Sequence, residues 1–304
     1  MNYTLHQLKV FLKVAENQSI TRAAEELFLT QPAVSIQLKR FQDQFEIPLT
    51  EVIGRQLYLT DFGKEIVEVS KRILAEAEGI KDAVNQYKGL LTGKIKISVV
   101  STGKYVIPYF LRSFMDKYPN VEIEIDVSNK NRVIEGLQQN SSDFYMVSVL
   151  PDDIPIHTIE LIENRLYFVG SSEFKHKKIT ASSIKKLTLI FREQGSATRN
   201  AMEMFLKSKG ITPSKTMYLV SNEAVKQAVN AGLGFSVMPL IGLRNELANG
   251  SLTIFPLKGL PIITNWNLIY NKGKKLSPAA QELIRFIEAN KKYVFDEFFD
   301  WNFE

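Results

Sequence analysis

Polar and basic side chains occupy one face of a short predicted helix near the N-terminus, and their chemistry suits contact with DNA. That face carries Gln31, Ser35, Lys39 and Arg40. An amide and a hydroxyl can hydrogen-bond to base edges in the major groove, and cations can bind phosphates. The opposite face repeats apolar residues every three or four positions, at Val34, Leu38, Phe41 and Phe45. The pattern predicts a DNA-reading helix with its apolar stripe buried.

A second group of polar residues suits the binding of a small anion. The segments VVSTGKY, FREQGSATRN and VSNEAV each follow a predicted strand and lead into a predicted helix. Helix N-termini at the carboxyl ends of strands offer free N–H groups to carboxylates and phosphate esters. The predicted effector contacts are Ser101, Thr102, Lys104, Gly195, Ser196, Thr198, Arg199 and Asn222. The alternative is that Ser196, Thr198 and Asn222 are ordinary helix caps, which leaves Lys104 and Arg199 unexplained.

Catalytic and metal-binding arrangements are not visible in the sequence. The three histidines, His6, His157 and His176, lie in different segments, and the chain has no cysteine. The glycines around Gly195 lack the spacing of a phosphate-binding loop. We therefore predict a protein that is not an enzyme and that has no metal site and no cofactor.

The elements around the DNA-reading helix form a small N-terminal domain. An amphipathic helix begins near Leu5, and a second helix begins at Ser19, which can act as its cap. Pro48 and Gly54 then punctuate two short apolar segments that predict a β-ribbon wing. Arg55, at the tip of the wing, either contacts DNA or is a solvated turn cation.

A helical pattern of about 30 residues follows the wing. Apolar residues recur at alternating spacings of three and four, which is typical of a coiled-coil seam. The seam residues are Ile66, Val69, Ile73, Ala77, Ile80, Val84, Tyr87 and Leu91. The seam packs either on the chain's own C-terminal domain or, as we expect, on a second copy. A homodimer would present two reading helices to an inverted repeat.

The rest of the chain alternates strand-like and helical segments, which indicates parallel βαβ units in two α/β lobes. We predict that the chain crosses between the lobes near Arg165 and again near Asn265, so that a hinged cleft lies between them. The C-terminal segment FDEFFDWNFE combines aromatic and acidic residues. It either packs on its own domain or forms an oligomer contact.

Composition is that of an ordinary globular protein. The 304 residues are 45% hydrophobic and 23% charged, with a net charge of +5. The N-terminus lacks the apolar region of a signal peptide, and no apolar run approaches the roughly 18 residues of a membrane span. We expect a cytoplasmic protein.

Two segments, AAEELFLTQPAVSIQLKRF and PLTEVIGRQLYLTDFG, resemble the winged helix-turn-helix of the LysR-type transcriptional regulators. The resemblance covers essentially the whole chain. It implies DNA contacts at Gln31, Pro32, Ser35 and Arg55. It also implies an effector domain similar to periplasmic binding proteins, a small inducer in its cleft, and assembly as a homodimer or a dimer of dimers. The C-terminal segments STGKYVIP and REQGSATRNAMEMFL are similar to the branch that regulates carbon-fixation (RuBisCO) operons.

The predicted fold class is therefore α+β and multidomain. A winged helix-turn-helix spans residues 1–60, a dimerising linker helix 61–92 and the effector domain 93–304. Lobe I comprises about 93–165 plus 266–304, and lobe II about 166–265. The predicted function is that of a regulator of promoter DNA controlled by a small, anionic metabolite. The alternative is a ligand-binding receptor whose N-terminal domain serves assembly only.

Overall fold

A computed structural model describes residues 2–54, 56–87 and 90–303 of the chain. The fold divides into two compact units, residues 1–90 and residues 91–304. The first unit encloses one buried apolar cluster, and the second unit encloses three. The separate clusters make each unit a body with its own core.

Three helices of the first unit form a helix-turn-helix core. They are α1 (Leu5–Asn17), α2 (Ile20–Glu26) and α3 (Gln31–Gln42). Their caps are Thr4, Ser19 and Thr30, whose side chains each accept a hydrogen bond from a backbone N–H of the first turn. The small side chains of Ala23 and Ala24 are buried against the other helices, which allows α2 to approach them closely.

The predicted wing follows as a two-stranded antiparallel ribbon, β1 (Thr50–Ile53) and β2 (Gln56–Leu59). Gly54 begins the turn with φ of 67°, a left-handed conformation that favours glycine. Leu57 is buried and anchors the ribbon to the core of the unit. Arg55, which we predicted at the wing tip, lies outside the described residues.

The long helix α4 (Asp61–Tyr87) contains most of the predicted seam. Ile66 and Ile73 pack against the cluster of the first unit, whereas Val69 and Ile80 are exposed. The seam therefore divides into residues that the unit itself buries and residues that face outward. No helix in the described parts of the chain has the length and apolar character needed to cross a membrane.

The end of the predicted seam differs from the expectation. Leu91 lies beyond α4 and packs against a core of the second unit, so it is not part of the helical stripe. The side chains of Val84 and Tyr87 are outside the described residues. Leu91 continued the spacing of three and four in the sequence, but residues 90–92 are not helical.

The first lobe of the second unit is a parallel α/β layer. Its elements are β3 (Gly93–Val100), α5 (Ile107–Lys117), β4 (Val121–Ser128), α6 (Lys130–Gln138), β5 (Phe144–Val147) and the last helix α11 (Pro278–Phe298). Strand β3 pairs in parallel with β4 on one side and β5 on the other, as predicted. Buried side chains such as Phe110, Val133 and Leu283 join the helices to this sheet.

The second lobe repeats the pattern with shorter strands. Its elements are α7 (Ala181–Ile184), β7 (Thr188–Arg192), α8 (Ala197–Ser208), β8 (Lys215–Leu219), α9 (Asn222–Asn230), β9 (Ser236–Pro239), α10 (Arg244–Ala248) and β10 (Leu252–Ile254). Strands β7 and β8 are parallel, and α8 and α9 begin just after their carboxyl ends. Two helix N-termini therefore lie at one edge of this lobe.

Two long strands connect the lobes, β6 (Ile156–Ser171) and β11 (Ile262–Asn271). They pair with each other antiparallel, and β6 also pairs with β9 and β10, so one seven-stranded sheet spans both lobes. At the junction, Asn164 Nδ2 donates to Thr264 Oγ1 over 3.0 Å. The predicted crossings near Arg165 and Asn265 thus lie inside paired strands rather than in loops.

The predicted parallel βαβ units do not describe this part of the sheet, where β6 has only antiparallel partners. Strand β6 has 16 residues and pairs antiparallel with β11 along most of its length. Its first half includes exposed positions at His157 and Thr158, which interrupt the apolar pattern. Pairing with β11 supplies the backbone hydrogen bonds that hold this half extended.

The aromatic C-terminal segment packs on its own unit. Phe299 is 2% exposed, and its ring lies 5.2 Å from that of Tyr109 and 6.3 Å from that of Phe110, centroid to centroid. The guanidinium of Arg244, from the second lobe, lies 4.9 Å from the ring of Trp301. The segment therefore contacts both lobes.

Candidate functional site

The capping of α3 determines which of its side chains point outward. Thr30 Oγ1 accepts from the N–H of Ala33 over 3.4 Å, and Pro32 stands in the first turn, where no N–H is required. This start buries Val34 and leaves Gln31 and Pro32 exposed. Ser35, one turn further on, is half-buried. Three of the predicted DNA contacts therefore lie together along the first half of the helix.

Lys39 and Arg40 lie in the last turns of α3, where positive charge is favourable. Both side chains are exposed. Among the described residues, neither forms an ion pair with a nitrogen–oxygen distance of 4.0 Å or less, although acidic side chains are common in this unit. The two cations are therefore available to an external anion such as a DNA phosphate.

The cleft of the second unit lies where the carboxyl ends of β3 and β7 meet. Ser101, which follows β3, accepts a hydrogen bond of 2.8 Å from Nη2 of Arg192, the last residue of β7. This contact joins the two lobes directly. Thr102 is buried beside it, at 6% exposure. Two of the three predicted anion-binding segments therefore meet here.

Arg192 is the most unusual cation of the cleft. It is only 3% exposed, and its Nε and Nη2 both donate to the carboxylate of Glu193 at 2.8 Å. Its Nη1 is buried and has no hydrogen-bond partner among the described residues. Burying a guanidinium N–H without a partner is costly, so this atom marks a place for an acceptor. The sequence placed Arg192 in one of the predicted anion-binding segments, but the predicted effector contacts did not include it. Arg192 is the last residue of the buried strand β7.

The start of α8 contains three more predicted contacts. Ser196 caps the helix, since its Oγ accepts from the N–H of Arg199 over 3.5 Å, whereas Thr198 is buried and does not cap it. Gly195 has φ of 84°, and a Cβ there would lie 2.9 Å from Cγ of Asn131 in the first lobe. Close approach of the lobes at this point therefore requires glycine.

Arg199 turns away from the cleft toward its own helix. Its Nε contacts Glu203 over 2.7 Å, and its guanidinium lies 5.0 Å from the ring of Tyr218. Its remaining described contact is from Nη1 to the backbone oxygen of Arg192, at 3.5 Å. Arg199 thus borders the site, and Arg192 lies within it.

A second set of contacts between the lobes surrounds Tyr105, in the short 3-10 helix of residues 103–105. Its hydroxyl donates to Glu223 and accepts from Nδ2 of Asn222 over 3.3 Å. Burial, followed by the hydrogen bond to the Glu223 carboxylate, raises the pKa of Tyr105, so the phenol stays protonated. Lys104 lies 3.7 Å from the same carboxylate. Sequence reasoning missed Tyr105 and Glu223, because neither differs from an ordinary surface residue in the sequence.

Two neighbouring groups determine the charge of Glu223. Burial acts to raise the pKa of this carboxyl, but the hydrogen bonds from Tyr105 and Lys226 outweigh it and lower the pKa. Lys226 also pairs with Glu246 at 2.9 Å. Glu223 is therefore ionised at neutral pH and holds Tyr105 across the cleft.

Asn222 is not a helix cap, contrary to one alternative. Ser221 caps α9, with its Oγ accepting from the N–H of Ala224 over 3.0 Å. The side chain of Asn222 is 1% exposed, and its Oδ1 has no partner among the described residues. The amide therefore offers an unused acceptor at the junction of the lobes.

The described residues contain no group of three or more acidic or histidine side chains that could hold a metal ion.

Comparison with known proteins agrees with this architecture. A family model for bacterial regulatory helix-turn-helix proteins of the lysR family matches residues 5–64, and one for the LysR substrate binding domain matches residues 88–292. The HTH-type transcriptional activator CmpR of Synechocystis is 37% identical over 296 residues, which cover 96% of this chain and 97% of that protein. The RuBisCO operon transcriptional regulator of Allochromatium vinosum is 34% identical and covers 94% of this chain and 96% of that protein.

A solved structure extends the comparison to the second unit. The CcmR regulatory domain of Synechocystis, in complex with 2-PG, has a TM-score of 0.60 and 29% identity, and covers 66% of this chain and 98% of that chain. These matches agree with the observed winged helix-turn-helix and two-lobed unit. The chain belongs to the LysR family, as a DNA-binding transcriptional regulator with an effector-binding domain.

Proposed function

We propose that this regulator binds an inverted repeat in promoter DNA and that a small anion in the cleft controls its binding. The observation that carries the anion is the buried guanidinium of Arg192, whose Nη1 has no partner among the described residues. A cation held between two lobes attracts a ligand with negative charge. Asn222 Oδ1, also without a described partner, suits a hydroxyl or a protonated oxygen of the same ligand.

The ligand that fits best is a small phosphorylated carboxylate. The CcmR regulatory domain was solved with 2-PG, 2-phosphoglycolate, and the two domains share the fold at 29% identity. In this chain Arg192 binds one anionic group, and the start of α8 at Gly195 and Ser196 offers backbone N–H groups to another. Ser101, Thr102, Lys104, Thr198, Arg199 and Asn222 complete or border the pocket.

Binding controls DNA through the contacts between the lobes. Arg192 joins Ser101, and Tyr105 joins Glu223 and Asn222, so the two lobes already touch across the cleft. An anion that contacts both lobes binds the closed form more tightly than the open form. The difference between these two affinities sets how far the anion shifts the protein toward the closed form. Lobe closure then changes how the regulator is arranged on DNA.

In the first unit we assign the reading of DNA to α3 and the wing. Gln31, Pro32 and Ser35 face base edges, whereas Lys39, Arg40 and Arg55 bind phosphates or the minor groove. The exposed side chains of Val69 and Ile80 support a homodimer in which α4 packs against α4 of the second copy. Such a dimer would present two copies of α3 to two half-sites. Residues 1–60 read DNA, 61–92 link and dimerise, and 93–304 bind the effector. Two such dimers form the tetramer.

This function requires neither turnover nor a cofactor. The relatives are transcriptional regulators, and we propose that the cleft binds its ligand without changing it. We propose that the protein works in the cytoplasm, because promoter DNA is its partner. The receptor alternative, in which the N-terminal domain serves assembly only, has no observation in its favour.

A thermal-shift panel followed by footprinting tests the proposal. The panel contains 2-phosphoglycolate, glycolate and inorganic phosphate, each added to the full-length protein. We expect a rise in melting temperature with 2-phosphoglycolate, a smaller rise with phosphate and none with glycolate, and a changed footprint on promoter DNA with the first. An equal response to all three, or a footprint that ignores a bound ligand, contradicts the proposal.

A further inference from the structure

The solvent-facing side of α3 carries an isoleucine. Ile36 is 53% exposed and lies in the middle of α3. Two residues along a helix correspond to about 200° of rotation, so Ile36 lies opposite both Val34 and Leu38. Those two side chains are buried in the core of the first unit. Ile36 therefore points away from the domain that carries it.

The exposed side chains next to Ile36 are of two kinds, apolar and basic. Pro32 lies one turn before it and is also exposed, so the two form a small apolar spot. Lys39 and Arg40 lie three and four positions after it, and both are exposed cations. An apolar spot beside two cations suits a partner that is a polyanion with an apolar group at its surface.

Duplex DNA offers such a group in only one place. In the major groove the edges of the bases present hydrogen-bond donors and acceptors, and thymine alone adds a methyl group at C5. The cations beside Ile36 would meet the phosphates that flank the groove.

We infer that Ile36 selects thymine in the operator by packing its side chain against the C5 methyl group. The inference rests on the proposed function, because it requires α3 to enter the major groove. It adds a specificity that Gln31 and Ser35 do not provide, since an amide and a hydroxyl read hydrogen-bonding groups. One thymine per half-site is read in this way.

The test removes single methyl groups from the DNA. A duplex is first selected from a random-sequence library by the full-length protein, and each thymine is then replaced in turn by deoxyuridine, which pairs identically but lacks the methyl. Dissociation constants are measured at fixed salt for the unaltered protein, Ile36→Ala and Gln31→Ala. Ile36→Val is a milder variant of the same side chain.

We expect one position in each half-site where uracil weakens binding by the unaltered protein about fourfold, the effect of losing one buried methyl contact. Ile36→Ala should bind the thymine duplex more weakly and lose nothing further with uracil there, because the two changes remove one shared contact. Gln31→Ala should keep the full response to uracil. Ile36→Val should give an intermediate response.

The inference fails if the selected duplex tolerates uracil at every position, or if Ile36→Ala keeps the full uracil response. It also fails if Ile36→Ala changes the oligomeric state in sedimentation and leaves DNA affinity unchanged, which would make Ile36 a protein contact. If the library yields no preferred sequence, the proposed function itself fails. Because Ile36 is exposed, we expect these variants to fold normally, and circular dichroism checks their fold.

Discussion

Replacing Arg192 by glutamine should strongly weaken effector binding. The substitution removes the buried positive charge and the unpaired Nη1, while Ser101 keeps a polar neighbour. A hydrogen bond between charged partners contributes about 1.5–3 kcal/mol, which corresponds to about a 10- to 150-fold loss of affinity. Isothermal titration of 2-phosphoglycolate into the full-length protein measures this loss.

The same change has a cost in stability that must be separated from binding. Arg192 holds both oxygens of Glu193 at 2.8 Å, and the carboxylate side chain is only 19% exposed. Leaving the Glu193 carboxylate without this partner should lower the free energy of unfolding by about 1–3 kcal/mol. The double variant Arg192→Gln/Glu193→Gln removes the stranded charge, so it should recover stability but not effector affinity.

Arg199→Gln is the matched control, seven residues further along the chain. Its guanidinium is engaged by Glu203 and by the ring of Tyr218, so we expect less than about a threefold change in affinity. The reasoning is refuted if Arg192→Gln binds 2-phosphoglycolate normally while Arg199→Gln does not. That result would make Arg199 the cation of the cleft.

Four further predictions follow from the same contacts. Tyr105→Phe should weaken the apparent effector affinity about tenfold in calorimetry, because closure loses a charge-assisted hydrogen bond to Glu223; an unchanged affinity would mean that this contact does not favour closure. Phe299→Ala should lower the free energy of unfolding by about 3–5 kcal/mol in denaturant melts, because its buried ring packs on Tyr109. Tyr293→Ala, at an exposed position of α11, should lower it by less than about 0.5 kcal/mol, and equal effects would contradict the packing. Ile80→Glu should shift the protein toward smaller assemblies in sedimentation, and an unaltered assembly would exclude Ile80 from the seam. Because folding lowers the pKa of Glu223, its ionised form stabilises the protein at pH values above the ordinary carboxyl pKa. This stabilisation is lost as the pH falls through the pKa of the folded state. In thermal melts from neutral to acid pH, the melting temperature of Glu223→Gln should therefore fall less than that of the unaltered protein.

The fold class was predictable because its signals are local. Thr30 and Ser19 cap the helices that the sequence placed there, and apolar spacing along α3 matches its buried side chains. Neighbouring residues carry capping and helical periodicity, so no distant contact is needed to see them. The LysR family models cover the same regions.

Strand partners were less predictable, since pairing joins residues far apart in the chain. The first half of β6 is extended because β11, about 100 residues later, pairs with it. Its exposed positions carried no alternating apolar pattern. The antiparallel connection of the lobes therefore required the tertiary structure.

The sequence by itself determined that a helix-turn-helix precedes a long helix and a two-lobed α/β unit, and that cations and hydroxyls gather at helix starts. Only the tertiary structure decided which of those groups face the cleft. Arg192 and Arg199 are equally basic in the sequence, but Glu203 and Tyr218 engage Arg199, while Ser101 meets Arg192 from the other lobe. The direction of a long side chain depends on partners that folding brings near it, and those partners are not its neighbours in sequence.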